Sequence, residues 1–497
     1  MDLLFSVIAG IFCVISYRLF WKSKLDHIPT IGYSSPILSY ISAWKFLGHS
    51  REIFLEGYRK YPNQVWKVPT FSGWIVIANG SQRVEDMSKA SEEYLNTGDH
   101  FAEFLQLDYT LGPEVTWNPY HVNVIRTSLT RNILAQFDDM YHEMVDAFDE
   151  ALPREMSSEW NSILILDATV ELTSRISARL AVGAPLCYDK EYRAICNRSG
   201  TSLMKGRMLR FFPRFLKPLA SRLFVGVQAD IKTMSRLLQP LIEQRLEQES
   251  IHGTQWPDKP NDLLTWMLDE AGRLGLERTP LDIATRMYFI AFASLDISMI
   301  FVLALQEIAK RPDVYLEPLR DEVHNVVRED GWTKGAVSRM YKMDSFFREL
   351  QRCYDVVLLH LRRKVQKDFV FSDGTYVPAG STICVNSYGS HHDEALFPFP
   401  ETFDGFRFVT EDSQDQTPMT KPTLEYNVFG YGKRACPGRF SAAYRLKTML
   451  AHVITNYDFK MAEDATPKNR DQFNELTMTP EADAKMLFRR RMYVRGV

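Results

Sequence analysis

The stretch 427–440, NVFGYGKRACPGRF, holds one cysteine, Cys436, among glycines, a proline and several cations, and the fold turns on what that cysteine is for. An isolated cysteine is ordinarily a small buried hydrophobe. Here Gly432 and Gly438 flank it, so the backbone can approach a flat group closely. Backbone N–H groups in such a loop can point at the sulfur, and Arg434 adds positive charge, which together favour a thiolate over a thiol. No second metal ligand stands nearby. The cysteines of the chain (Cys13, Cys187, Cys196, Cys353, Cys384 and Cys436) contain no CxxC pair, so neither a zinc ribbon nor a disulfide framework is written here. A reducing compartment is the simpler setting.

The spacing Phe429-x-x-Gly432-x-Arg434-x-Cys436-x-Gly438 resembles the haem-thiolate signature of the cytochromes P-450. The resemblance implies heme b (iron protoporphyrin IX) with Cys436 as its axial thiolate and metal ligand. Phe429 would pack by the haem and Arg434 would meet a propionate. A thiolate donor pushes electron density onto iron and favours O–O cleavage. Upstream, RELQR carries Glu349 and Arg352, three apart and therefore on one face of a helix. By resemblance they form a buried structural triad with Arg407 of PETFDGFRF (400–408), where Phe406 stands in place of the family's usual acidic residue. The resemblance also implies propionate contacts for Arg363, five residues before Asp368, and for Arg126 in HVNVIRTSLTRNI (121–133). Val122 stands where tryptophan is common, so His121 is expected to take over that contact. His391 and His392 in SHHDEALFPFP read as a turn pair.

A long helix is predicted to start at Thr279, an N-cap, with Pro280 at its first position and Asp282 in its first turn. It need not stop before Arg311-Pro312, and its apolar circumference predicts a path through the core. Within it, AFASLDISM (291–299) places Asp296 in an otherwise uncharged run. A carboxylate there is costly unless it is paired, hydrated or protonated. By resemblance this helix crosses the distal face of the haem. Ala293 keeps the small residue that leaves room for dioxygen, Asp296 keeps the acid, and Ile297 replaces the usual threonine. Reduction of dioxygen consumes protons, which the threonine hydroxyl helps to deliver and the acid connects to solvent. Ser294, three residues before Ile297, is the expected substitute; Ser298, a substrate hydroxyl or an extra water are the alternatives. The structural alternative for Asp296 is pairing with an arginine or capping a local bend.

Residues 3–21, LLFSVIAGIFCVISYRLFW, are nearly all apolar, with Asp2 before them and Arg18, Lys22 and Lys24 at the far end. That pattern predicts an uncleaved single-pass anchor over 1–22 in the endoplasmic reticulum membrane, with the remainder cytosolic. A hinge over 23–40 and one catalytic domain over 41–497 follow. Helical patterns dominate from about 117 to 330. Strands are expected at QVWKV and GWIVIA, in a hairpin around Asp373-Gly374 and at KMLFRRRMYV. The fold class is therefore mainly α with small β-sheets (α+β), the cytochrome P-450 fold by resemblance. RMLRFFPRFLKPLASRLFVGV (207–227) reads either as an amphipathic helix pair or as a surface that dips into lipid.

A net charge of −3 and a pI of about 6.4 give no field that recommends nucleic acid as a partner. The resemblance places substrate-lining positions in the loop 101–116, at Phe289, Phe292 and Ile297, at Val357, Leu358 and Leu359, and at Leu476, Thr477 and Met478. Most are apolar, as pockets usually are. KMDSFFRELQR and the 121–133 segment look most like fungal members. The expected function is a haem-thiolate monooxygenase that oxidises an apolar small molecule, terpenoid or steroid-like, in secondary metabolism. Electrons would come from NADPH through a separate cytochrome P-450 reductase, with cytochrome b5 as a further donor. Lys433, Arg439, Arg445 and Lys447 are the expected docking patch. Ile297 favours the alternative of a peroxygenase, isomerase or dehydratase on the same fold. A non-catalytic haem sensor is the reading from another class.

Overall fold

Alternating apolar residues on either side of Ser72-Gly73 form an antiparallel pair, β1 (Val65–Thr70) and β2 (Gly73–Ala78), with Val65 opposite Ala78. This is seen in a computed structural model that describes residues 24–133, 135–151, 159–410, 416–462, 472–474 and 476–491. Three further strands, β3 (Leu95–Asn96), β4 (His360–Val365) and β5 (Thr382–Val385), complete the sheet in the order β1-β2-β5-β4-β3. Only the β2–β5 pair is parallel. The Asp373-Gly374 turn joins Phe369–Val370 to Tyr376–Val377. Lys485–Arg490 is the central strand of a smaller sheet, between Asn161–Leu164 and Tyr457–Met461. The expected anchor over 1–22 lies outside the described residues. From Lys24 the hinge segment runs through turns, bridges Thr30 to Lys67, and enters a helix at Ser39.

The helices that position the site are α1 (Thr97–Leu105), α2 (Ile165–Val182), α3 (Lys190–Gly206), α4 (Pro280–Phe292), α5 (Ser294–Lys310), α6 (Tyr341–Cys353) and α7 (Arg439–Asn456). Thr279 caps α4 by accepting the Asp282 N–H at 3.2 Å. Within the 31 residues from Pro280 to Lys310 an 18-residue window has a mean hydropathy of 2.1, and more than half of that window is packed inside the protein. Their apolar circumference therefore reflects a path through the core.

The expected single long helix is corrected in one respect: it breaks at Ala293. There the ladder tightens, with Ala293 N–H bonded to the Ile290 carbonyl at 3.1 Å, and α5 begins at the next residue. Ser298 donates back to the Ser294 carbonyl at 3.0 Å, a side-chain bond that supports a bend. The main apolar cluster packs Phe301 and Ile308 of α5 against Phe346 and Leu350 of α6 and Leu446 and Leu450 of α7. A second cluster joins α3 and α4 through Ile195, Leu203, Ile283 and Met287.

Segment 207–227 forms two short, irregular helical pieces: a 3-10 helix at Arg207–Phe211, and Lys217–Ala220 running directly into a π-helix at Ser221–Val225. Met208, Phe211, Phe215, Leu219, Leu223 and Phe224 are 56–79% exposed along it.

Gly57, in the helix Ser50–Lys60, lies flat against the indole of Trp66, which is fully buried and donates to Asn79 Oδ1 at 3.2 Å. A Cβ there would overlap the ring. Gly57→Ala should therefore cost about 1–3 kcal/mol by urea denaturation. Gly48→Ala, whose Cβ meets nothing within 4 Å, should be close to neutral.

Candidate active site

Cys436 lies between a 3-10 turn, Gly432–Arg434, and the start of α7. Gly430 and Gly432 take φ of 74° and 69°, a region that disfavours side chains, and Cys436 N–H closes the loop on the Phe429 carbonyl at 2.6 Å. Phe429 packs against the main core cluster. The sulfur is accessible yet enclosed by the fold, so its free surface opens onto an internal space. Burial pushes the thiol pKa up, and the charge of Asp296 adds to this. The N–H groups of Gly438 and Arg439 and the Arg439 guanidinium only partly offset that rise. The expected backbone N–H groups therefore do point at the sulfur, supplied by Gly438 and Arg439, and by themselves they offset the desolvation only in part. A bound metal cation would supply the missing stabilisation, since coordination deprotonates a thiol outright.

Ala293 and Asp296 are likewise accessible but enclosed. Three residues apart at the break between α4 and α5, they lie on one side of the helix, and Asp296 and Cys436 feel each other's charge. Burial pushes the Asp296 carboxyl up to about 6, against the opposing pull of Arg362 and His360. Its ionisation thus falls near the working pH, where a proton donor and acceptor is most effective.

The serines are corrected. Ser294 and Ser298, each two residues from Asp296, lie about 160° away around the helix. Their hydroxyls engage α2 instead: Ser294 Oγ meets Ser177 Oγ at 2.9 Å, and Ser298 Oγ meets Thr173 Oγ1 at 2.5 Å. Ile297 is buried in the core cluster. Thr173 and Ser177 escaped the sequence reading, although Thr169, Thr173 and Ser177 repeat every four residues and so mark a polar stripe on α2.

Arg363 is 3% exposed, and its Nε has no hydrogen-bond partner. Burial and the charge of Arg434 push its pKa down to about 10. Arg434 donates to the Leu95 carbonyl at 3.0 Å and pairs with Glu92 at 3.1 Å. Arg126 is exposed within a π-turn, Ile125–Leu129, close enough to Arg439 for their charges to oppose. His121 is not among these groups. Its Nδ1 lies 3.2 Å from Arg286 Nη1 and its ring sits edge-on to Phe289. Burial first, then Arg286, pushes its pKa down to about 3, so it is a neutral packing group against α4. An enclosed thiol, a small residue at the helix break and a buried, under-bonded guanidinium together fit a haem, which Cys436 would ligate and whose propionate Arg363 would hold.

Glu349 and Arg352 on α6 are fully buried and paired in a fork, Nε to Oε2 at 2.8 Å and Nη2 to Oε1 at 2.9 Å. Arg407 Nε shares Oε1 at 2.9 Å, and the Asp404 N–H reaches it at 3.1 Å. Arg352 also donates to the carbonyls of His391 and Pro400, and Arg407 to those of Pro398 and Thr402. Burial raises the Glu349 pKa, but the Arg352 bond and charge more than reverse this. Phe406, in the place of the expected acid, stacks edge-on against Tyr315 at 5.4 Å. His391 is buried and lies 3.5 Å from Asp355, while His392 Nδ1 meets the Tyr388 carbonyl at 2.9 Å.

A family model for cytochrome P-450 matches residues 35–488. The chain belongs to the cytochrome P-450 family. It is 34% identical over 489 residues to cytochrome P-450 monooxygenase 151 of Postia placenta, covering 97% of each chain. It is 33% identical over 472 residues to cytochrome P-450 monooxygenase CYP512U6 of Ganoderma lucidum, covering 93% of this chain and 91% of the relative. It is also 30% identical over 483 residues to an ent-kaurene oxidase of Fusarium fujikuroi, covering 95% and 89%. It is an oxidoreductase of the monooxygenase type, and the family implies a haem held by a cysteine thiolate.

In this P-450 the expected lining residues divide. Leu358, Leu359 and Leu476 are sealed in a core cluster with Phe54 and Trp66, and Met478 in the main cluster, because strand-like bonds draw 356–358 and 476–478 together. Phe289, Phe292, Val357 and Thr477 keep accessible surface, and Phe289 and Phe292 stack on each other. The docking patch is also corrected. Lys447 is buried on Asp344 at 2.6 Å, and Arg445 turns inward to Ser177 at 2.7 Å. Arg439 is half-buried over Phe440, and Lys433 is exposed. The helical period of α7 carries 445 and 447 into the bundle.

Glu349→Gln leaves two buried guanidinium groups under-paired and should cost about 3–5 kcal/mol by urea denaturation. The same variant should give a reduced yield of the haem-loaded form. Asp296 has a folded-state pKa raised above its ordinary 3.8, so it binds extra protons when folded and lowers stability as pH rises through that interval. Asp296→Asn should therefore raise the thermal midpoint at neutral pH, and the gain should fade toward pH 4, as read by melting curves across that range.

Proposed function

We propose that this P-450 is a membrane-anchored monooxygenase that oxidises an apolar, terpenoid-like substrate with electrons delivered from NADPH by a partner reductase. The observation that supports the reading is that Cys436 and Asp296, each accessible yet surrounded by protein, lie near enough for their charges to interact. When bound there, the haem supplies dioxygen activation. The chain's own residues do the rest. Arg363 and Arg434 would hold the propionates, and Ala293 leaves room beside the helix break. Asp296 holds or releases a proton at its carboxyl oxygen, in an environment that keeps its pKa near the working range. Phe289 and Phe292 present an apolar wall that excludes water.

Similarity to ent-kaurene oxidases supports a terpenoid skeleton. Exposed Ile37, Leu38, Ile41 and Trp44, together with the apolar side chains of 207–227, support a body that rests on lipid, which suits entry of an apolar substrate from the bilayer. Apolar residues 3–21 support the anchor, and the endoplasmic reticulum is the membrane it would use. Cytochrome b5 is a second electron donor in this reading.

Ile297 favours one other reading, a haem-thiolate enzyme that uses peroxide or no oxidant, because neither serine hydroxyl points beside Asp296. Co-expression with a reductase in microsomes fed terpenoid scaffolds under ¹⁸O₂ separates the two. NADPH-dependent product carrying one labelled oxygen is expected. Turnover by peroxide alone, with none from NADPH and reductase, would establish the other reading. Cys436→Ser should abolish the thiolate-ligated band in the reduced-CO spectrum.

A further inference from the structure

β4 places two arginines side by side, Arg362 and Arg363, and successive strand residues face opposite ways. Arg363 goes to the side of Arg434 and Glu92. Arg362 goes to the other side, where its guanidinium carbon lies 5.2 Å from the ring centre of Phe101 and 5.1 Å from that of Phe104, both on α1. The strand is bent to do this: Leu361 takes a φ of 48°, and the pairing with β5 shifts register between His360 and Arg363. Strain of this kind persists where the surroundings over-determine a position.

Two other basic side chains converge on the same rings. Arg207, which follows α3, sits over Phe104 at 4.5 Å, and its charge is felt at Arg362. His100 stacks on Phe104, and its buried Nε2 has no hydrogen-bond partner. Arg362 Nη1 is also buried and without a partner. Among the described residues no carboxylate lies within ion-pair distance of Arg362. The acid whose charge it feels is Asp296, beyond hydrogen-bond reach in the enclosed space. Burial lowers the pKa of Arg362 and, together with the charge of Arg362, that of His100.

We propose that Arg362 is a substrate-anchoring residue and that this P-450 takes apolar substrates bearing a carboxylate, which binds Arg362 while the hydrocarbon body lies against Phe101 and Phe104. A guanidinium fork matches a carboxylate in two parallel bonds, and a buried, unpaired guanidinium attracts an anion far more strongly than an exposed one. The aromatic walls suit an apolar acid over a small hydrophilic anion. On the opposite face of β4, Arg363 would serve a haem propionate. The inference rests on the enclosed space being the substrate chamber, as in the function proposed above.

The test uses the full-length, haem-loaded protein and paired probes: dehydroabietic acid with its methyl ester, and myristic acid with its methyl ester. Dissociation constants are read from the spin-state shift in the absorption spectrum. The acid of at least one pair should bind about tenfold or more tightly than its ester. Arg362→Gln should erase that preference and Arg362→Lys should keep part of it, with the reduced-CO spectrum certifying each variant's haem site. If Arg362→Gln does not load haem, the acid-to-ester ratio of Arg207→Gln decides, and a several-fold fall is expected. Equal binding of acid and ester, or a preference that survives these substitutions, overturns the anchoring role and leaves the terpenoid reading standing. No shift with any of the four probes overturns the apolar-substrate reading and this inference with it.

Discussion

The carboxylate of Glu349 is fully buried and shared between Arg352 and Arg407. Taking such charges out of water is costly, and mutual attraction compensates only when the remaining donors and acceptors are also satisfied. Here they are: the arginines spend their other N–H groups on the carbonyls of His391, Pro398, Pro400 and Thr402, and the Asp404 N–H completes the carboxylate. One ionic centre thereby ties α6 to the end of the helix Ser387–His391 and to the irregular stretch 398–407. α6 packs on α5 and α7, so the same centre sets the frame in which the cysteine loop faces Asp296.

The chamber between those two walls is a place of unpaid electrostatics. Burial raises the pKa of both Cys436 and Asp296, and it lowers those of Arg362, Arg363 and His100. Burial disfavours the charged form of each group, and a bound partner of opposite charge would restore it. A metal cation would stabilise the thiolate, and anionic groups the two guanidiniums. The polar serines that could have stood beside Asp296 face α2 instead, which leaves the carboxyl as the titratable group on that wall.

Much of this was legible in the sequence. The cysteine loop, the pair Glu349 and Arg352, and the strands around Gly73 and Gly374 all rest on local spacing or turn chemistry, which short stretches of chain carry by themselves. Other expectations failed for reasons a linear reading does not contain. His121 found Arg286, 165 residues away, instead of a propionate. Lys447 and Arg445 were taken inward because α7 has neighbours on those faces, Asp344 and Ser177. Leu358 and Leu359 were sealed by a backbone pairing with 476–478 that no local pattern announces.

By itself the sequence determined the family, the mainly helical class, the cysteine loop and an acid in the long apolar stretch, because residue type and spacing decide which local structures are available. Only the tertiary structure decided where the helix breaks, which hydroxyls turn away from Asp296, and that Arg362 and Arg363 serve opposite faces of one strand. Those outcomes depend on packing partners far apart in the chain, and on the desolvation that their contact imposes on each charged group.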